Sequence, residues 1–149
     1  MKISHKADYA LHAMMYIAAI EGKHLCTITE ISDGENIPRE YAAKILKELT
    51  QKGFIISKRG IMGGYKLAKP RNQISFLQIV EAMEGPMSLA FCNMPENLRK
   101  GLHRKGQCAA TPFFSDLQKR VAQELSGMTF GKLDFDKFYG AKGTQKAKA

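Results

Sequence analysis

Helices dominate this chain of 149 residues, and one β-hairpin interrupts them. Capping signals open two helices, at Thr27 with Glu30 and at Ser75 with Gln78. Two strand-like runs, residues 54–58 and 65–67, flank a glycine-rich turn. Phe113, Leu117, Val121 and Leu125 recur every four residues and mark a long helix towards the C-terminus. The expected fold is mainly α with a small β-hairpin.

Residues 3–21 read as the first helix, with Leu11, Met14, Met15, Ile17, Ala18 and Ile20 as a broad apolar face and Gly22 as its stop. Asp8 and His12 stand four apart on it, one turn from each other. Each has an ordinary explanation: a carboxylate favoured by the N-terminal dipole, and an amphipathic ring at a core edge. The same pair is also spaced to bind a metal. Cys26, beside Leu25, reads as a small core residue.

A short helix starts at Thr27, with Ile28 and Ile31 on its buried face. Asp33, Gly34, Glu35 and Asn36 read as a turn in which Gly34 supplies a positive φ. Pro38 fits the first turn of the next helix. Tyr41, Ile45, Leu46 and Leu49 form its apolar face, and Gly53 stops it. The opposite face carries Arg39, Glu40, Ala43, Lys44 and Lys47, side chains that can reach base edges and phosphates.

The hairpin follows, with a tip over residues 59–64; an arginine at the base of a flexible tip suits minor-groove insertion. From position 38 to 71, nine Lys/Arg stand against two Asp/Glu, which points to an anionic partner. A basic amphipathic helix alone is commonly just a solvated surface. The ordered set of helix, turn, helix and wing is the layout of a winged helix-turn-helix. Its candidate DNA contacts are Arg39, Glu40, Ala43, Lys44 and Lys47 on the helix, with Lys58, Arg59, Gly60, Gly63 and Tyr65 on the wing.

The second capping box opens a helix that runs to Glu84, burying Phe76, Ile79, Val80 and Met83 before Gly85 and Pro86 stop it. Residues 87–110 then lose periodicity, and a loop of that length is usually functional or disordered. Cys92 and Cys108 near its ends, with His103 between, suggest a loop tied to a metal. The alternative is a mobile loop with two free thiols. Thr111 as N-cap and Pro112 at the first position restart a helix that Gly127 closes, with Phe114 and Met128 beside its stripe. That helix either packs back on the domain or pairs with its copy. Because readers of this type commonly bind two half-sites, the symmetric dimer is the expectation. Leu133, Phe135, Phe138 and Tyr139 make a last apolar patch, and the tail from Gly140 reads as basic and disordered. The chain therefore divides into a DNA-binding domain (1–86), a cysteine-containing sensor loop (87–110), a dimerisation helix with a packing segment (111–139) and a tail (140–149).

The net charge is +9, and 44% hydrophobic residues are enough for a real core, so disorder is not expected overall. No apolar run approaches the length of a membrane span, and the charged start lacks an uninterrupted apolar stretch, which points to the cytoplasm. Three cysteines argue for thiol or metal chemistry over a disulfide framework. No nucleophile with a paired base and no phosphate-binding glycine loop is found, so an enzyme is not expected.

The pattern resembles the IscR/NsrR-type (Rrf-two) family of bacterial transcription regulators over nearly the whole chain. The residues that carry the likeness are Met1 to Ser4 with Asp8 to Leu11, Tyr41 to Leu49, Arg59 and Gly60 followed by Gly63 to Leu67, Ile79 to Pro86, and the cysteine loop. The resemblance implies a homodimer on a pseudo-palindromic promoter site in double-stranded DNA, with repression the expected outcome. It also implies an iron–sulfur cluster in the loop, sensing redox state, iron or nitric oxide. Relatives commonly place three cysteines there, whereas this chain has two. In some relatives a carboxylate at the position of Asp8, and in at least one a histidine at that of His12 as well, completes the cluster from the other subunit. By that likeness the ligands are Cys92, Cys108, Asp8 and His12, with His103 in reserve, and 2Fe–2S is favoured over 4Fe–4S. The reading helix departs from relatives at Ala43 and Lys44, so no operator sequence carries over. Two alternatives stand beside this reading. One is a clusterless regulator of the same fold responding through thiols, a ligand or a protein partner. The other is a small redox or electron-transfer protein, against which the basic helix and wing argue.

Overall fold

A computed structural model describes residues 2–99 and 108–140. The centre of the cysteine loop, with His103, and the tail beyond Gly140 lie outside them. Six helices and one antiparallel hairpin follow in order: α1 (His5–Ile20), α2 (Ile28–Glu35), α3 (Arg39–Gln51), β1 (Ile55–Lys58), β2 (Gly64–Leu67), α4 (Phe76–Glu84), α5 (Thr111–Gly127) and α6 (Phe135–Tyr139). The mainly α architecture with a small hairpin is as the sequence predicts. Among the described residues no helix is long and apolar enough to cross a membrane.

The Ser4 hydroxyl accepts from the Ala7 amide and starts α1, nine of whose sixteen residues are buried. Its alanines let α2, α3 and α4 approach closely. Both capping boxes form: Thr27 with Glu30 opens α2, and Ser75 with Gln78 opens α4. Burial alone would raise the Glu30 carboxyl, but the Thr27 amide, His24 and the Thr27 hydroxyl outweigh it and hold it below the ordinary range.

The turn after α2 differs from expectation. The helix runs on through Gly34, and Asn36 takes the left-handed conformation at φ 52°. Gly34 is needed for space, since a Cβ there would lie 2.3 Å from Cε2 of Tyr16. Tyr41 also departs: it is 53% exposed, its ring edge-on to Tyr9, and Ala42 takes the buried place on α3 beside Ile45, Leu46 and Leu49. Gly53, at φ +78°, stands just past the end of α3 as predicted.

The hairpin pairs Ile55 with Leu67 and Lys58 with Gly64, and Tyr65 and Cys26 exchange backbone bonds of 2.8 and 3.0 Å that fasten it to the core. Cys26 is buried, which with the charge of Glu30 pushes its thiol up to about 12, fitting an inert core residue.

α5 starts with Ala110, not Thr111, at the N-cap, and Pro112 falls one position later than expected. Beyond α5 the chain returns to the core: the Phe76 amide donates to the Met128 carbonyl, and the Phe130 amide to that of Ile74. Phe130 is the largest fully buried side chain and stacks 5.0 Å from Phe76. Phe135 is buried and Tyr139 half-buried, whereas Phe138, expected in the same apolar patch, faces solvent.

Candidate nucleic-acid interface and sensor site

The period that buries Ala42, Ile45, Leu46 and Leu49 turns the other side of α3 outwards. Arg39, Glu40, Ala43, Lys44 and Lys47 are all exposed on it. Lys58, Arg59 and Gly60 are exposed at the end of β1 and the start of the wing tip. Gly63 has no room for a side chain, because a Cβ would sit 2.2 Å from the Lys58 carbonyl oxygen. That close turn throws Ile61 and Met62 fully into solvent. Tyr65 differs from its neighbours: it is half-buried and packs against the core.

Between α3 and the wing lies an open cleft of about 520 Å³, lined by Lys47, Lys58 and Arg59 and floored by Thr27, Thr50 and Ser57. The sequence reading missed Thr27, Thr50 and Ser57 as part of this surface. Three cationic side chains with hydroxyls between them suit a run of phosphate oxygens.

The four candidate metal ligands fall in two places. Asp8 and His12 share the outer face of α1, with His12 Nε2 3.7 Å from Asp8 Oδ1. Cys92 lies in a short 3-10 turn, residues 91–93, and Cys108 in the bend before α5; both thiols are free and half-buried. Among the described residues no three His, Cys, Asp or Glu side chains come together closely enough to hold a metal ion. One chain therefore does not assemble the four.

The surroundings of Cys92 carry unfinished chemistry. Its thiol donates to Asn93 Oδ1 at 3.7 Å, and that oxygen also accepts from Ser115 at 3.1 Å. Asn93 Nδ2 and Thr111 Oγ1 are buried without a hydrogen-bond partner among the described residues. A cleft of about 350 Å³ opens there, lined by Cys92, Asn93, Arg99, Thr111, Ser115 and Lys119. Glu96 also lines the cleft, so two cationic side chains and one carboxylate stand around the unused polar atoms, a net positive lining that can take an anionic group carrying hydrogen-bond acceptors, as sulfide-bridged iron on thiolate ligands would be.

The sequence reading also missed the other partner of His12. Its Nδ1 lies 3.0 Å from Oε2 of Glu35, the last residue of α2, whose side chain is only 7% exposed. The other oxygen, Oε1, accepts from the Tyr139 hydroxyl at 2.6 Å. Burial first, and then the bond to Glu35, push the Tyr139 hydroxyl well above its ordinary range, so it stays a donor. The signal was present: Ile28, Ile31 and Glu35 fall on one helical face once α2 runs past Gly34.

A sequence model of the Rrf2 family, described as an iron-dependent transcriptional regulator, matches residues 3–134. Solved structures share the fold. CymR of B. subtilis, described as its global cysteine regulator, is 23% identical, with a TM-score of 0.72 over 88% of this chain and 94% of that one. The oxidized form of Staphylococcus aureus CymR is 27% identical, with a TM-score of 0.68 over 87% and 93%. IscR of T. potens is 21% identical, with a TM-score of 0.70 over 97% and 91%.

Proposed function

This chain belongs to the Rrf2 family of transcriptional regulators, and on that premise we propose that it is a homodimeric repressor in the cytoplasm that senses redox, iron or nitric oxide state through a 2Fe–2S cluster. It reads a pseudo-palindromic operator with α3 in the major groove and the wing in the minor groove. Arg39, Glu40, Ala43, Lys44 and Lys47 stand on the reading face. Lys58, Arg59, Gly60, Gly63 and Tyr65 form the wing side, with Lys47, Lys58 and Arg59 around the cleft. The observation that carries the DNA reading is this exposed basic cleft between a buried-backed helix and a hairpin fastened to the core at Cys26.

Cys92 and Cys108 of one protomer, with Asp8 and His12 of the other, are the proposed cluster ligands. Two observations support the split. The pairs are not gathered within one chain among the described residues, and both are accessible, Asp8 and His12 on the surface of α1 and the thiols half-buried. Bound there, a 2Fe–2S centre would supply a one-electron change at the subunit boundary, at a potential raised by imidazole in place of thiolate. The chain's part is mechanical: α1 touches α2, α3 and α4, so a shift of Asp8 and His12 re-spaces the reading heads.

The second reading, a clusterless regulator, gains from the cleft beside Cys92, where Arg99 and Lys119 suit a small anionic ligand or a modified thiol. The S. aureus CymR structure in its oxidized form is a relative at 27% identity that fits this reading. One experiment separates the two: iron and sulfide content and visible absorption of protein purified without oxygen, followed by selection of bound duplexes from random DNA. A brown, iron-containing protein that enriches a two-fold-related site supports the first reading. A colourless protein that enriches the same kind of site leaves the second. Failure to enrich any duplex in either state would sink the DNA-binding function itself.

A further inference from the structure

We propose that Glu35 is a positioning residue for His12: its carboxylate, held by Tyr139, keeps the imidazole proton on Nδ1 and leaves the Nε2 lone pair on the side of Asp8. This rests on the reading above that His12 and Asp8 are ligands, and it adds the residue that makes His12 ready to be one.

The geometry is spread over three elements. His12 lies mid-way along α1, Glu35 ends α2, and Tyr139 closes α6. The carboxylate of Glu35 is nearly buried, yet its described side-chain partners are only a phenol at 2.6 Å and an imidazole at 3.0 Å. A buried carboxylate must have its oxygens satisfied by donors. Tyr139 donates to Oε1, so His12 Nδ1–H is the donor left for Oε2. With the proton on Nδ1, Nε2 of the neutral ring is a lone pair, 3.7 Å from a carboxylate oxygen of Asp8. Two electron-pair donors then face each other on an accessible surface. A carboxylate behind an imidazole is the usual way a protein fixes the tautomer and orientation of a metal-binding histidine.

Glu35 is also the residue before the left-handed Asn36, which leads into α3. The side chain that aims the ligand is thus anchored at the turn of the helix-turn-helix. A movement of the imidazole on α1 would be passed to that turn through the 3.0 Å bond to Glu35.

The test uses Glu35→Gln, which keeps size and shape. Tyr139 would still donate to the amide oxygen, placing the amide NH2 against Nδ1 and forcing the proton to Nε2. Long-range nitrogen–proton NMR of the cluster-free full chain, recorded over a series of alkaline buffers, reads which ring nitrogen carries the proton; loss of signals in His12→Ala assigns them. The expected result is an Nδ1–H tautomer in the wild type and an Nε2–H tautomer in Glu35→Gln. An Nε2–H wild type, or an unchanged tautomer in the variant, overturns the positioning role. In protein reconstituted with iron and sulfide, Glu35→Gln should yield its iron to a chelator about tenfold to a hundredfold more readily. Tyr139→Phe, which leaves the carboxylate in place, should keep the Nδ1–H tautomer; a switch there would also overturn the proposal. Unaltered absorption in His12→Ala would defeat the ligand reading alone, because the tautomer measurement needs no cluster.

Discussion

α1 and α5 are nearly equal in length and opposite in fate. Nine of the sixteen residues of α1 are buried, whereas none of the seventeen residues of α5 is. Yet α5 carries an apolar stripe as regular as any in the chain. Leu117, Val121 and Leu125 are half-buried against α4 and the turn at residues 91–93, and Phe113 stands in solvent. Among the described residues α1 is covered by its own chain, and α5 is covered only in part. The helical core around α1 is therefore a finished unit among the described residues, and α5 is not. A half-covered apolar stripe of this kind is the surface that the proposed homodimer would use.

The contrast can be broken with paired truncations. Leu46→Ala in the finished unit should cost about 2–5 kcal/mol in urea unfolding. Leu117→Ala should cost the monomer under about 1 kcal/mol, because a half-exposed side chain leaves no sealed cavity. Its effect should appear instead as weaker dimerisation in sedimentation. Equal losses in the two variants would erase the distinction between α1's core and α5.

A smaller effect sharpens the account of the head. Gly34→Ala should destabilise by about 1–3 kcal/mol through overpacking against Tyr16. A neutral result would show that Tyr16 yields freely.

Arg59→Ala should weaken operator binding by about tenfold, roughly 1.4 kcal/mol, and flatten the salt dependence, while leaving cluster absorbance unchanged. Unchanged affinity would remove the wing from the DNA interface.

The least effect concerns Glu48. Its hydrogen bond from Lys6, and then the charges of Lys6 and Lys52, hold its carboxyl below the usual 4.5. A depressed folded value means stabilisation that is complete above 4.5 and lost as pH falls through the folded value. The pair lies near the surface, so the effect is a fraction of a typical ion pair. Glu48→Gln should flatten the acid limb of the stability curve slightly; an unaltered limb would show that the Lys6 contact contributes nothing.

What was legible in the sequence was local. The two capping boxes, the alternation that turns Lys44 and Lys47 away from Ile45 and Leu46, and Gly53 as a stop are all set by neighbours within one turn. The family resemblance read from such runs is borne out by a match over residues 3–134. The misreadings were non-local. Gly34 reads as a turn residue because nothing near it in sequence announces the ring of Tyr16. Thr111 resembles a cap in sequence, yet its hydroxyl is buried and has no hydrogen-bond partner among the described residues. Glu35 and Tyr139 are 104 residues apart, and no pattern links them. Tyr41 and Phe138 are apolar enough for a core but face solvent, since helical period alone does not say which edge of a stripe is covered. The reading face could be inferred because one chain holds all of it. The proposed cluster ligands could be named only by residue type, because Asp8 and His12 do not come together with Cys92 and Cys108 among the described residues.

The most direct test mixes two chains. One carries Asp8→Ala and His12→Ala, the other Cys92→Ala and Cys108→Ala, and the two are co-expressed under different tags and purified together without oxygen. If each site draws thiols from one protomer and Asp8 and His12 from the other, the mixed dimer keeps one intact site. The account predicts about half the wild-type iron and absorbance in the mixed dimer and essentially none in either parent. A colourless mixed dimer beside a brown wild type would contradict it, placing all four ligands, or a different set, within a single chain.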